Sequence, residues 1–231
     1  MHCLYHPKAN RTIKEYFFEN DDLKHLKAIR LRVGEKVMIT NGQGLSIIAN
    51  IGVVHNNGLV IENPLFFEDY GELDIKVSVG LAILDNRERM EFALEKCIEL
   101  GAKEFYPLIT KNSQKKIINI ERLKAKSISA LKQCQRSQLI EIYPAIDIFE
   151  LERKFVEFDS IILADFNGET YNTKFRKSSN LILIGPEGGF TDEEINFIKK
   201  NPKTISVNLG KRRLRAETAA IAMMALLSNG A

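Results

Sequence analysis

The sequence LILIGPEGG, residues 181–189, joins an apolar run directly to a glycine-rich turn. Four consecutive apolar residues predict a strand that is buried on both faces. The turn carries little side-chain bulk, so a ligand can approach its backbone closely. Thr191-Asp192-Glu193-Glu194 then forms a capping box before the helical spacing of Ile195 and Ile198. A strand, a glycine turn and a helix N-terminus in this order predict a ligand-binding corner.

The same arrangement recurs further along the chain in altered form. Residues 204–208 are strand-like, Leu209-Gly210 ends them, and KRRLRAET (211–218) leads into a helix that is apolar nearly all round. Neither turn has the G-x-G-x-x-G spacing, and neither ends in Gly-Lys-Ser/Thr. The pattern therefore argues against a dinucleotide-binding fold and a P-loop NTPase.

Composition and charge narrow the class of protein. The 231 residues are 45% hydrophobic, which is enough for packed cores, and no apolar run approaches the roughly 20 residues of a membrane span. The N-terminal stretch lacks the apolar core of a signal peptide, so a cytoplasmic location is expected. Three cysteines without C-x-x-C spacing indicate neither a disulfide framework nor a metal site.

The net charge of +3 is small, but the charge is unevenly distributed. Residues 111–136 contain eight basic residues and one acidic residue, Glu121. Such a run is either a solvated helix face or a phosphate-binding surface. The interspersed Asn, Gln and Ser side chains suit the sugar and phosphate groups of a nucleic acid, and they favour the second interpretation slightly.

The chain divides into two predicted domains. Over residues 1–70, short strands at 13–18, 37–40, 45–54 and 59–61 alternate with hairpin-type turns at 41–44 and 56–58, and residues 21–30 fit a short helix. This pattern indicates a small β-barrel. After a linker around residues 63–73, strands and helices alternate through 74–231, which predicts an α/β domain with a parallel sheet covered by helices on both faces.

Four ordered stretches resemble one known family. They are Glu95-Lys96-Cys97-Ile98-Glu99-Leu100-Gly101, Gln133-Cys134-Gln135-Arg136, the corner at 183–190 and the corner at 209–219. Together they are similar to the RsmE family, SPOUT-class enzymes that transfer a methyl group from S-adenosylmethionine to N3 of a uridine in 16S ribosomal RNA. The resemblance implies a PUA-like β-barrel RNA-binding domain (1–70) and a SPOUT methyltransferase domain (74–231) with a C-terminal trefoil knot.

The resemblance also implies where the site lies. The cofactor would contact Leu163, Ala164, Gly185, Pro186, Glu187, Gly188, Gly189, Leu209, Gly210, Leu214 and Arg215. Together with the charge of the basic stretch, the resemblance leads to the expectation that the RNA, within the small ribosomal subunit, contacts Lys27, Arg30, Arg32, Lys115, Lys116, Arg122 and Arg136. No metal is implied.

Uracil N3 is a poor nucleophile while it holds its proton, so the reaction needs a base or a cation that stabilises the anion. Arg215 is the candidate cation, and Glu187 and Glu217 are the candidate proton acceptors. A phosphate contact for Arg215 and an intramolecular salt bridge for Glu217 are equally open.

Two other functions remain alternatives. The first is a non-catalytic RNA-binding ribosome assembly factor on the same scaffold, and the second is an α/β enzyme for a small phosphorylated metabolite. The second leaves the basic stretch and the barrel unused.

The C-terminal helix predicts a partner. Residues 219–227 are all apolar, and a helix that is apolar all round must be covered on every side. Both the two-fold symmetry common in oligomers and the SPOUT resemblance favour a homodimer packed through this helix. A central helix enclosed within one chain is the alternative.

Overall fold

A computed structural model describes residues 1–228 of the chain. It contains two compact units, one built from Met1–Glu72 and Ile128–Leu139, the other from Leu73–Ser127 and the chain from Ile140 onward. The expected boundaries, 1–70 and 74–231, assign residues 128–139 to the second domain. In the structure those residues pack with the first unit instead. Among the described residues, no helix is both long and apolar enough to cross a membrane.

The first unit is a five-stranded mixed sheet with one helix. Its elements are β1 (His2–Tyr5), β2 (Glu15–Phe17), α1 (Asn20–Ile29), β3 (Lys36–Thr40), β4 (Leu45–Val54) and β5 (Gly58–Glu68). The strand order is β1-β3-β4-β5-β2, with β1 parallel to β3 and the other pairs antiparallel. The predicted turn at 41–44 joins β3 to β4. It is stabilised by Asn41 Oδ1, which accepts hydrogen bonds from Gln43 N (2.8 Å) and Leu45 N (3.2 Å).

The core of the first unit follows the alternation of its strands. Ile39, Ile47, Ile51 and Leu59 are fully buried in one cluster with Tyr16. Each comes from a strand whose alternate residues point to the same face. The sequence pattern of short strands and turns is therefore confirmed, while the PUA-like closure of the sheet stays a prediction.

The second unit is built on a seven-stranded parallel sheet. Its strands are β6 (Lys76–Ala82), β7 (Glu104–Ile109), β8 (Glu141–Ile142), β9 (Ile146–Asp147), β10 (Ser160–Thr170), β11 (Ser179–Ile184) and β12 (Thr204–Asn208). The order is β12-β10-β11-β6-β7-β8, with β9 beside β7. The predicted parallel sheet is confirmed, and LILI at 181–184 lies at its centre, between β10 and β6.

Helices connect or follow the strands of this sheet, although the last part of the second helix, from Ile128, belongs to the first unit. They are α2 (Arg87–Glu99), α3 (Ile120–Cys134), α4 (Asp192–Lys199) and α5 (Ala216–Ser228), with 3-10 helices at Glu150–Glu157 and Thr173–Phe175. Leu181 and Leu183 of β11 share a cluster with Ile198 of α4. Alternate residues of a strand point to opposite faces. Ile182 and Ile184 therefore face the other side, where α5 packs on β6 and β11 and against α2.

The strand order determines where loops meet. Strands β10, β11 and β12 are parallel neighbours, with β10 between the other two. Their carboxyl ends therefore share one edge of the sheet, and the segments that follow them lie side by side. In open α/β sheets this edge is where ligands bind.

Candidate functional site

A cleft of about 480 Å³ opens at this edge of the sheet in the second unit. Its walls come from β10, the end of β11, the glycine turn after β11, the segment before α5, the first turn of α5, and one residue of α2. The lining residues are Arg89, Ala164, Ile184, Gly185, Pro186, Glu187, Gly189, Phe190, Arg213, Leu214, Arg215, Ala216 and Ala219. A smaller cavity of about 140 Å³ adjoins it and shares Ala164, Arg213, Leu214 and Ala219 with it.

Most of the predicted cofactor residues line these two cavities. Seven line the larger one (Ala164, Gly185, Pro186, Glu187, Gly189, Leu214 and Arg215), and Leu209 and Gly210 line the smaller one. Two do not contribute. Leu163 is fully buried inside the sheet, and Gly188 lies outside both linings, next to Asn112. The two glycine corners found in the sequence are therefore brought together.

The first corner is fixed by its neighbours. The predicted capping box is present: Thr191 N donates to Glu194 Oε2 (2.7 Å), and Glu194 N donates to Thr191 Oγ1 (3.3 Å). The other carboxylate oxygen of Glu194 accepts from Lys111 N (2.8 Å), and Asn112 Nδ2 donates to Gly189 O (2.9 Å). The turn is thus held from both sides before any ligand binds.

The second corner depends on Asn208 and Gly210. Gly210 has φ +114°, which residues with a Cβ rarely adopt, and nothing lies within 4 Å of where its Cβ would be. Asn208 Oδ1 accepts from Gly210 N (2.6 Å), while Asn208 Nδ2 donates to Phe166 O. The Asn208 side chain therefore connects the end of β12 and the turn after it to β10.

The charged centre of the cleft is Arg89, a residue that no sequence motif singled out. Its Nη1 donates to Glu187 Oε1 (2.9 Å), and its Nε and Nη2 donate to the two carboxylate oxygens of Glu217 (2.8 and 2.6 Å). Arg89 thereby joins the first corner to α5. Its one sequence signal is its place in the first turn of the helix that follows the buried strand β6.

Glu217 is held in the salt bridge that was one of its two expected roles. Burial raises the pKa of its carboxyl, but the hydrogen bonds from Arg89, a backbone hydrogen bond and the positive charges of Arg89 and Arg215 together lower it further, so the net pKa lies below the ordinary glutamate value. A carboxylate with a lowered pKa and both oxygens occupied is a weak proton acceptor. The geometry therefore favours Glu187, whose side chain is exposed to the cleft, over Glu217.

Arg215 is exposed at the cleft and makes no side-chain hydrogen bond or ion pair with any residue in 1–228. Its neighbour Arg213 donates from Nη2 to Glu187 O (2.9 Å), which ties the segment before α5 to the first glycine turn. Of the three guanidinium groups at the cleft, that of Arg215 is thus available to a ligand, whereas those of Arg89 and Arg213 hold the walls together.

The basic stretch at 111–136 is mostly neutralised within the chain. Ion pairs join Lys115 to Asp85, Arg122 to Glu91, Lys124 to Glu121, Lys126 to Glu95, Lys132 to Asp22 and Arg136 to Glu72. Of the eight basic side chains, those of Lys111 and Lys116 make no ion pair within residues 1–228. The solvated-face interpretation therefore describes more of the stretch than the phosphate-binding one.

The structure corrects the predicted RNA contact of Arg136. Its side chain is 2% exposed, and Nη2 donates to Glu72 Oε2 at 2.6 Å inside the first unit. A buried guanidinium that holds a buried carboxylate cannot reach a phosphate. Lys27, Arg30 and Arg32, by contrast, are exposed at and after the end of α1, and none of them pairs with a carboxylate of the described chain.

Known proteins match this chain along nearly its whole length, and the matches agree on one family. Residues 71–228 match a family model described as an RNA methyltransferase domain. The ribosomal RNA small subunit methyltransferase E of Rickettsia conorii is 31% identical over 204 residues, which cover 85% of this chain and 82% of that protein. The protein of the same name from Mesomycoplasma hyopneumoniae is 28% identical, with 96% of this chain and 97% of that protein covered.

A solved structure has the same fold. It is a ribosomal RNA small subunit methyltransferase E from Neisseria gonorrhoeae, bound to S-adenosyl methionine. It superposes with a TM-score of 0.83 at 26% sequence identity and covers 97% of this chain and 95% of its own.

Proposed function

The chain belongs to the RsmE family of ribosomal RNA small subunit methyltransferases, and we propose that it transfers a methyl group from S-adenosylmethionine to N3 of one uridine in 16S ribosomal RNA. The observation that carries the proposal is the meeting of both glycine corners and the end of β10 in one cleft. Membership of this family supports methylation of ribosomal RNA as the reaction. The N3 position is the part that needs a test.

The cleft fits the cofactor in size and chemistry. Its volume of about 480 Å³ lies within the roughly 300–1,000 Å³ of small-molecule sites. Ala164, Ile184, Pro186, Leu214 and Ala219 supply apolar walls, and the glycine turns leave backbone groups accessible. We assign the cofactor to this cleft, against the turn at residues 185–189 and Leu214, with Leu209 and Gly210 of the adjoining small cavity also in contact with it.

S-adenosylmethionine supplies an activated methyl group and its own leaving group. The task of the protein is therefore to align the nucleophile with that methyl group and to exclude water. The turns at 185–189 and 208–210 are fixed by side-chain hydrogen bonds from Asn112 and Asn208. A cleft that is rigid in advance needs little reorganisation when its ligands bind.

The proton at N3 needs an acceptor, and the negative charge left on the uracil needs a cation. Glu187 is the acceptor we propose, because its carboxylate lies at the cleft and Arg89 contacts only one of its oxygens among residues 1–228. Arg215 is the cation we propose, since its guanidinium is exposed there and makes no hydrogen bond or ion pair within residues 1–228, although its charge helps to lower the pKa of Glu217. Glu217 acts on Glu187 indirectly by orienting Arg89.

The RNA surface includes the exposed cations that the chain does not neutralise. In the first unit these are Lys27, Arg30 and Arg32, and in the second unit they are Lys111 and Lys116. Lys115 and Arg122 contribute only by exchanging a carboxylate partner for a phosphate. The substrate, within the small ribosomal subunit, is a cytoplasmic molecule, and we propose that location for the protein.

Two features of the fold are also proposed. The first is PUA-like closure of the sheet in the first unit, which its five-stranded mixed topology supports. The second is a C-terminal trefoil knot. Strand β12 is separated from β11 by β10, so the chain must cross β10 again after β12. It does so before α5, because Arg213 donates to Glu187 O in the turn after β11 and α5 packs on β6 and β11. This return of the chain supports the proposed knot.

A homodimer through α5 completes the proposal. One side of α5 is enclosed within its own chain, since Met223, Met224 and Leu227 are fully buried. To that extent the helix matches the alternative to a dimer, a central helix covered by one chain. Leu226 on α5 and Phe92 on the adjoining α2 are nevertheless exposed, and Ile221, Ala222 and Ala225 are half-buried. This remaining apolar surface is what a second copy would cover.

Isothermal titration calorimetry with S-adenosylmethionine tests the cofactor assignment. We expect saturable binding at one site per chain, competed by S-adenosylhomocysteine. Substitution Ala164→Trp, at the floor of the cleft, should abolish the heat of binding while the far-ultraviolet circular dichroism stays unchanged. A folded wild-type protein that binds neither compound would refute the assignment.

A further inference from the structure

Strand β10 carries an unusual bulge beside the cleft. Its pairing with β12 skips from Ala164 to Glu169, and Val207 is the partner of both, so residues 165–168 project out of the sheet. Bulges at strand ends often redirect a side chain next to an active site. The residue this bulge directs outward is Phe166, which is 61% exposed.

The bulge is held in place rather than loose. Asp165 Oδ2 accepts from Lys199 Nζ (2.8 Å), Asp165 Oδ1 accepts from Asn167 N (3.0 Å), and Asn208 Nδ2 donates to Phe166 O. Gly168 lies so close to β12 that a Cβ there would be 2.5 Å from the carbonyl carbon of Ser206. These contacts fix the backbone of the bulge while leaving the Phe166 ring in solvent.

Two arginines lie in the lining of the small cavity to which Phe166 belongs. Arg212 and Arg213 line the same small cavity as Phe166, and Arg212 has no hydrogen-bond or ion-pair partner in residues 1–228. An exposed aromatic ring close to a guanidinium that no described residue occupies is a combination that binds single-stranded RNA, where bases stack on the ring and phosphates contact the cation. The adjoining cavity, at about 140 Å³, is too small to enclose a nucleoside, so the partner of the ring lies outside it.

We propose that Phe166 is a stacking platform for a base of the RNA substrate and that Arg212 contacts the phosphate next to that base. The inference rests on the proposed function, because it assumes that RNA enters the cleft. It adds a substrate-binding residue that neither glycine corner contains. Stacking would hold the unpaired strand at the rim of the cleft while the target base enters it.

The test measures binding of a short single-stranded oligouridine by wild-type protein and by Phe166→Ala. Loss of one stacked base should weaken binding by roughly 5- to 150-fold. Because stacking is not ionic, the dependence of affinity on salt should not change, and the affinity for S-adenosylmethionine should not change either. Arg212→Ala should instead lower the salt slope by about one phosphate contact.

A fluorescence experiment isolates the ring. The chain contains no tryptophan, so Phe166→Trp introduces a single reporter. Oligouridine should quench it, whereas inorganic polyphosphate, which has no bases, should not. Val156→Trp, at an exposed position on the 3-10 helix at Glu150–Glu157 of the same unit, is the matched control and should respond to neither.

The outcomes separate the inference from the proposed function. If wild-type protein binds no RNA, the proposed function fails. If wild-type protein binds RNA and Phe166→Ala binds it equally well, only the stacking role is overturned. Weaker binding of S-adenosylmethionine by Phe166→Ala, with RNA binding intact, would also overturn it, because the ring would then belong to the cofactor site.

Discussion

Arg89 is the residue on which the geometry of the cleft depends most. It forms three hydrogen bonds to two carboxylates, one on the glycine turn and one on α5. Glu217 is 7% exposed, so without Arg89 it would be a buried charge without a hydrogen-bonded partner. Removing one member of such a pair costs more than the pair itself contributes.

We predict that Arg89→Ala lowers the free energy of unfolding by about 1–3 kcal/mol at neutral pH. Arg87→Ala is the matched control on the same helix. Arg87 is 66% exposed in its side chain and lies 3.5 Å from Glu91, so its loss should cost no more than about 1 kcal/mol. Urea denaturation of the two variants measures both values. Equal losses would show that Arg89 has no special role.

The cost of Arg89→Ala should also depend on pH. In the wild type the pKa of Glu217 is lowered in the folded state, so its ion pair stabilises the protein above the ordinary glutamate pKa of about 4.3 and stops doing so as pH falls through the folded-state value. In the variant, acid instead neutralises an unpaired buried charge. The difference in stability between the two proteins should therefore shrink below about pH 4. A difference that stays constant between neutral pH and about pH 3.5 would contradict this explanation.

Residues in local turn signals could be predicted from the sequence, whereas residues defined by distant contacts could not. Glu187 and Gly210 belong to corners that are visible as strand, glycine and helix cap. Arg89 reaches Glu217 across 128 positions, and Phe166 matters through a bulge whose register depends on β12. Neither contact leaves a periodic trace in the sequence.

At the scale of elements, the turn after β12 offers the most selective test of the cofactor site. Gly210 and Gly34 both have positive φ, +114° and +87°, and at both positions an added Cβ would meet nothing within 4 Å. Gly210 lines the cavity beside the cleft, while Gly34 belongs to the first unit. Alanine should therefore strain both backbones similarly.

We predict that Gly210→Ala weakens binding of S-adenosylmethionine at least about tenfold, because the strained turn shifts and the methyl group occupies the ligand side. Gly34→Ala should lose a similar stability, about 1 kcal/mol, and keep wild-type affinity. Calorimetry and thermal unfolding compare the two variants. Equal cofactor affinity in both would remove the second corner from the site.

The basic stretch shows why charge counts in one segment mislead. The run at 111–136 has one acidic residue of its own, but its cations meet Asp85, Glu91, Glu95, Asp22 and Glu72 from other segments. A linear sequence does not reveal those pairings. Only the two lysines without a carboxylate partner in residues 1–228 keep the role that the stretch as a whole was assigned.

We predict that the double substitution of Lys111 and Lys116 by glutamine lowers the salt slope of RNA binding by about 1.4, since single strands contribute about 0.7 per phosphate contact. The matched double substitution of Lys124 and Lys126, which are paired with Glu121 and Glu95, should leave the slope nearly unchanged. Filter binding at several salt concentrations measures both. The reverse ranking would contradict the assignment.

At the scale of the whole molecule, the two units are not consecutive stretches of the chain, because the first unit contains two separate segments. Residues 128–139 return to the first unit, where Lys132 pairs with Asp22 and Arg136 with Glu72. The sequence predicted the strands of the first unit and the parallel sheet of the second because strand and helix periodicities are local. It could not predict this return, because the two salt bridges that hold it span 110 and 64 positions.

The proposed dimer is tested on the exposed part of α5. Met224 and Leu227 are unsuitable positions, because both are fully buried and arginine there would unfold the chain. Leu226 is 36% exposed, so Leu226→Arg should yield a folded monomer. Val156→Arg, on the 3-10 helix at Glu150–Glu157, is the control and should remain dimeric. A wild-type protein that sediments as a monomer at micromolar concentration would refute the dimer.

The position of the transferred methyl group is the most direct test of the proposed reaction. Unmodified 16S ribosomal RNA, both free and assembled into small subunits, is incubated with the protein and S-adenosylmethionine, digested to nucleosides and analysed by mass spectrometry. We predict 3-methyluridine from one site in the RNA. A methyl group on a ribose hydroxyl or on another base atom, or no transfer by a protein that binds both ligands, would contradict the proposal.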